Sequence, residues 1–187
     1  MPRAQRVLLL VFDTFAEFEV SILVTALRGT AHSVTTVGVD RSPVTTTGRL
    51  TVLPDRAVPE VDPADFDALV APGGDTSVVL GHEPLRRLVR HFADTGKLIA
   101  AICGGPAVLG DAGVLDDRRF TASLTPTDRA WCGVEGRGSM VPELVVVDDP
   151  LVTATGSSYL AFAEEVLRRL EGATAPDLAY FRVPSLA

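Results

Sequence analysis

Short runs of consecutive apolar residues alternate with amphipathic stretches along this chain. That alternation is the signature of an α/β domain whose parallel strands are covered on both faces. "RVLLLVF" (6–12) reads as a buried strand. "FAEFEVSILVTALRG" (15–29) follows as a helix that stops at Gly29. "HSVTTVGVD" (32–40) alternates and is β-branched, a second strand, whereas the prolines of "GRLTVLPDRAVPEV" (48–61) confine it to an edge or a loop. "FDALVAPGG" (66–74) is a strand running into paired glycines. In "PLRRLVRHFADTG" (84–96), Leu85, Leu88, Val89 and Phe92 share one helical face.

"KLIAAIC" (97–103) is another continuous strand, "GPAVLGDAGVL" (105–115) a short helix and "RRFTAS" (118–123) a strand. "ELVVVDDPLVTAT" (143–155) reads as two strands about an Asp-Asp-Pro turn. Gly156 and Ser157 then open the helix "SYLAFAEEVLRRLEG", with Glu164/Arg168 and Glu165/Arg169 as i, i+4 pairs. No repeat or linker interrupts the pattern. The expected architecture is a three-layer α/β sandwich, a mostly parallel open sheet with helices on both faces, formed by one domain over 1–187 with the tail 173–187 unassigned.

Composition narrows the function. The formal charge of −7, with a single lysine, argues against nucleic acid and against an anionic membrane surface. No stretch approaches the ~20 apolar residues of a membrane span. The apolar run near the N-terminus breaks at Asp13 with no small-residue cleavage site behind it, so the expectation is a cytoplasmic protein with reduced thiols.

In open parallel sheets, ligands bind beyond the carboxyl ends of the strands. There the sequence places Asp13, Glu17 and Glu19 after the first strand, Gly73-Gly74 after the third and Cys103-Gly104-Gly105 after the fourth. A nucleophile on a sharp strand-to-helix turn needs small residues two before and two after it, and Ala101 and Gly105 fill those places. Adjacency to a helix N-terminus would favour the thiolate. The competing reading is a buried structural cysteine beside a glycine turn; the apolar strand before Cys103 and Pro106 after it favour the elbow.

"AICGGPAVLGDAGVL", "ALVAPGGD", "FAEFEVSILVTAL" and "DDPLVTATGSSYLAFAEEVLRRL" together resemble the ThiJ/PfpI superfamily, a branch of the flavodoxin-like, class I glutamine amidotransferase-like fold. The resemblance covers nearly the whole chain. It implies Cys103 as reactive cysteine, Glu19 as the carboxyl group bonded to it, with Glu17 as fallback, and the backbone N–H groups of Gly74 and Gly104 as oxyanion donors. It also implies a homodimer and a small-molecule substrate, without metal or organic cofactor.

The chain departs from the family pattern in one respect. Gly104 and Ser123 stand where many members carry a histidine. A Cys-His dyad is therefore absent, which argues against proteolysis. Of the three histidines, His91 reads as a solvent residue, His32 as structural, and His82, after the glycine pair, as a candidate for the pocket together with Ser123. Cys132 reads as buried, and Trp131 as core rather than pocket wall. The leading expectation is a cysteine-dependent enzyme with glyoxalase- or deglycase-like action on a small electrophilic carbonyl compound. A redox sensor or stress protein oxidised at Cys103 is the alternative, and an isocyanide hydratase-like enzyme a further one.

Overall fold

The structure, a computed structural model, describes residues 3–171 and 178–181; the rest of the unassigned tail lies outside the described residues. In chain order the strands are β1 (Arg6–Leu10), β2 (Ser33–Gly38), the short β3 (Val44–Thr45), β4 (Thr51–Val52) and β5 (Arg56–Ala57), then β6 (Ala68–Ala71), β7 (Leu98–Ile102), β8 (Arg119–Phe120), β9 (Ser139–Met140), β10 (Val145–Asp148) and β11 (Leu151–Ala154). The α-helices are α1 (Phe18–Leu27), α2 (Glu83–Asp94), α3 (Pro106–Asp111), α4 (Pro126–Trp131) and α5 (Tyr159–Glu171).

Seven strands form the central sheet in the order β10-β11-β7-β6-β1-β2-β5. All neighbours run parallel except β10 against β11. The apolar runs occupy its centre: β6 is buried throughout and Ile99 to Ile102 of β7 are fully enclosed. A strand covered on both faces has no polar side to show, and this is why the sequence is continuous rather than alternating there. Helices α1 and α5 pack together, as do α2 and α3. The β1–α1–β2 and β6–α2–β7 crossovers step in opposite directions across the sheet. With right-handed connections they place α1 and α2 on opposite faces. The reversal falls between β1 and β6, and opens a crevice at their carboxyl ends. Among the described residues no helix is long and apolar enough to cross a membrane.

Two departures from the expected elements bear on the site. Helix α1 begins at Phe18 rather than Phe15 because Phe15 forms an antiparallel bridge with Gly74, and the Ala16 N–H donates to Gly73 O at 2.9 Å. The residues before the helix thus become a clasp on the glycine pair. Strand β8 is only two residues long and pairs with β9 outside the central sheet. Between them lies α4, which the apolar pattern did not predict; it is capped by Thr125, whose hydroxyl accepts from the Asp128 N–H. On α5, Arg169 reaches Glu165 at 3.2 Å as expected, and Arg168 also donates to Glu165.

Candidate functional site

Cys103 follows β7 directly and adopts φ of 60°, a left-handed conformation that costs a non-glycine residue of the order of 1–3 kcal/mol unless its surroundings enforce it. They do so from both sides. The Cys103 N–H donates to Ala154 O on β11 and its carbonyl accepts from the Ser123 N–H, each at 2.9 Å. The elbow also needs the small residue at Gly105: a Cβ there would lie 2.2 Å from Ala71 O.

Glu19, in the first turn of α1, is only 2% exposed. Its Oε2 accepts from the Gly73 N–H at 2.7 Å, and its carboxyl group is hydrogen-bonded to the Cys103 thiol. Two glycines close over the pair. A Cβ on Gly73 would sit 2.6 Å from Cys103 Cβ and 2.8 Å from Glu19 Oε2; one on Gly156 would sit 2.9 Å from Cys103 Sγ and 3.0 Å from Glu19 Oε1.

Burial pushes the Glu19 carboxyl up, and the bonds from Cys103 and Gly73 recover only part of that, so it binds its proton more tightly than an ordinary glutamate. Burial, then the charge of Glu19 and its hydrogen bond, pushes the Cys103 thiol up to about 12, opposed by the Gly104 backbone and the Ser123 hydroxyl. This runs against the expectation that adjacency to a helix N-terminus favours the thiolate. Helix α3 has six residues, and desolvation beside a carboxylate outweighs it. The two acids act as a coupled pair. The sulfur can become an anion when its proton moves to Glu19.

The pair opens on a cleft of about 240 Å³ whose lining includes Gly74, Thr76, Cys103, Gly104, Ser123 and Trp131. The expected Gly74, Gly104 and Ser123 thus meet at the sulfur, with Glu19 behind it. Other candidates fall elsewhere. Glu17 is held away by Thr47 Oγ1 at 2.9 Å and the Gly48 N–H at 3.3 Å. His82 is not among the cleft residues; it caps α2, its Nδ1 accepting from the Leu85 N–H at 3.3 Å. His32 is structural: Nδ1 accepts from the Gln5 N–H, and Nε2 lies 2.9 Å from Glu171 Oε1. Trp131 is 64% exposed at the cleft rather than in the core, because α4 carries it outside the main sheet. Cys132 is buried and lines the same cleft.

The residue-by-residue reading put Gly73 at the carboxyl edge and Gly156 at a helix start but gave neither a role at the site, because the need for glycine there shows only once their neighbours are known. It also missed Asp128 on the cleft wall, which "TPTD" (125–128), a capping box with proline at the first helical position, could have revealed. Among the described residues no group of three or more His, Cys, Asp or Glu could hold a metal ion.

A sequence model of the DJ-1/PfpI family matches residues 5–169. The chain is 32% identical over 184 residues to a Bacillus subtilis protein named uncharacterized protease YoaZ, covering 94% of this chain and 87% of that one. It is 33% identical over 173 residues to protein/nucleic acid deglycase 2 of Escherichia coli, covering 89% and 98%. The solved structure of Drosophila melanogaster DJ-1beta matches with a TM-score of 0.79 at 28% identity, covering 91% of this chain and 92% of that one.

Proposed function

Because the chain belongs to the DJ-1/PfpI family, we propose that it is a cysteine-dependent enzyme acting on a small electrophilic carbonyl compound by glyoxalase- or deglycase-type chemistry. The observation that carries this reading is the buried Glu19 bonded to Cys103 at the base of the cleft. A carboxyl group with a raised pKa, beside a nucleophile and paired with no cation among the described residues, is equipped to take and return a proton.

On a 2-oxoaldehyde the steps balance as follows. Cys103 Sγ adds to the aldehyde carbon while its proton passes to Glu19, and the N–H groups of Gly74 and Gly104 receive the developing oxyanion, which then takes that proton back from Glu19 and leaves a neutral hemithioacetal and a carboxylate. Glu19 next removes the C–H proton of that carbon and returns it to the neighbouring carbon, while the hydroxyl proton passes to the neighbouring oxygen. The product is a thioester of the 2-hydroxy acid on Cys103. Water hydrolyses it, releasing the acid and restoring the thiol. Deglycase-type action would apply the same attack to the adduct of a carbonyl compound with an amine. Proteolysis fits less well, because no histidine at the cleft is available to protonate a leaving amine. A peroxide sensor would require a standing thiolate, and the raised thiol pKa opposes one.

The test is turnover of methylglyoxal, followed as substrate loss and 2-hydroxy acid formed. Cys103→Ser is expected to remove turnover, and Glu19→Gln to lower kcat by about 10²–10⁴-fold, the range for a general acid–base group. Wild-type rates in either variant would overturn the proposal.

A further inference from the structure

The stretch that lacks the family's histidine is not empty of chemistry. Ser123 is held beside the sulfur by two hydrogen bonds. Its N–H donates to Cys103 O at 2.9 Å and its Oγ accepts from the N–H of Gly156, the glycine that lies against the sulfur, at 2.9 Å; its hydroxyl shares the cleft with the Cys103 side chain and opposes the rise of the thiol pKa. A serine hydroxyl has one proton to give and two lone pairs. With Oγ accepting from Gly156, the proton is free to point at the sulfur. On the far side of the sulfur, Glu19 accepts from both the thiol and the Gly73 N–H.

We infer that Ser123 is the hydrogen-bond donor that stabilises the Cys103 thiolate, the second member of a one-way relay running from the Gly156 N–H through Ser123 and Cys103 to the carboxylate of Glu19. Every donor in this chain faces the same way, so each bond polarises the next. When the thiol proton moves to Glu19, no atom has to turn: Ser123 already donates to the sulfur that becomes negative. A histidine in this region could exchange protons with the sulfur. A serine cannot near neutral pH, and so it fixes the direction of transfer toward Glu19.

Gly156 belongs to the same device. Its N–H orients Ser123, and its lack of a side chain lets the backbone lie against the sulfur and the carboxylate. The Ser123 hydroxyl opposes the upward push on the Cys103 thiol, so losing it should raise the thiol pKa further.

This inference rests on Cys103 being the nucleophile, but its test reads the sulfur and needs no substrate. The rate of Cys103 alkylation by iodoacetamide is measured against pH, with the modified Cys103 peptide quantified by mass to separate it from Cys132. In Ser123→Ala the curve is expected to move to higher pH and the rate near neutral pH to fall by about 10-fold or more, the worth of a hydrogen bond to a charged group. Ser123→Thr keeps the hydroxyl and should follow the wild type. Ser123 is exposed, so alanine there leaves no internal cavity. A Ser123→Ala curve superimposed on the wild type, or a Ser123→Thr curve displaced as far as that of alanine, would overturn the inference. Loss of methylglyoxal turnover as a general finding would instead count against the proposed reaction and leave the alkylation result standing.

Discussion

Two poorly exposed carboxylates, Glu19 on one face of the sheet and Asp111 on the other, have been given opposite company. Asp111, at the end of α3, accepts from Arg86 through both oxygens, Nε at 2.9 Å and Nη2 at 2.6 Å, and also from the Gly81 N–H at 2.9 Å. Burial alone would push its carboxyl up, but the Arg86 bonds, the Gly81 N–H and the nearby positive charges hold it below the ordinary range. Glu19 is more deeply buried and has a thiol and one N–H instead. The first arrangement ties α2 to α3. The second leaves a carboxyl group destabilised in its charged form, which is what proton transfer requires and what stability alone would not select.

The contrast is broken most severely at Gly73. Its φ lies outside the left-handed region, so alanine is acceptable to the backbone and only the added Cβ matters. That Cβ would overlap Cys103 Cβ and Glu19 Oε2, the former being too close to the main chain to swing away. Gly73→Ala is expected to lower turnover by about 100-fold, the usual consequence of misplacing reacting groups by an ångström. Methylglyoxal kinetics would measure it. Wild-type turnover in that variant would show that the packing of the pair is not what the chemistry depends on.

Next in size is the other carboxylate. Asp111→Ala removes the partner of a bidentate guanidinium and of the Gly81 N–H. Because Arg86 is partly in water, the expected cost is moderate, about 1–2 kcal/mol, or a Tm lower by about 4 °C for a chain of this size. Turnover should be unchanged, since Asp111 lies outside the cleft. A thermal melt and a kinetic assay on the same preparation decide both points.

These particular residues also show what could be read from the chain alone. "KLIAAIC" had to be a buried parallel strand, because no polar residue interrupts it, and the small residues at 101 and 105 marked the elbow; the family resemblance then supplied Glu19. What could not be read was where backbone groups find their partners. The Gly73 N–H ends on a carboxylate 54 residues earlier, and the Gly156 N–H on a hydroxyl 33 residues earlier. Gly74, expected as an oxyanion glycine, lines the cleft and also bridges to Phe15, whereas its neighbour Gly73 holds the acid. His82 looked like a pocket candidate because a helix cap made by a histidine has no strong pattern in sequence. Trp131 looked like core because apolar character alone does not say that α4 sits outside the sheet.

The smallest effect is also the sharpest, because its sign differs between the two sites. Glu19 has a raised pKa in the folded chain. Below the ordinary glutamate value it is protonated folded or unfolded, and burial costs little. As pH rises, the unfolded chain ionises first, so the contribution of this residue to stability is lost as pH climbs through the folded pKa. Glu19→Gln removes the ionisation, and should raise Tm relative to wild type at neutral pH by the few degrees that correspond to about 1 kcal/mol. The gain should shrink toward pH 4. Asp111, with its lowered pKa, contributes stability that is present at neutral pH and lost on acidification. Asp111→Asn should therefore lower Tm at neutral pH, by less as pH falls. Melts of both variants between pH 4 and 8 should give differences from wild type that open in opposite directions as pH rises. Two curves with the same slope would mean that Glu19 is stabilised as firmly as Asp111, and a carboxyl group so stabilised would not serve as the proton acceptor for Cys103.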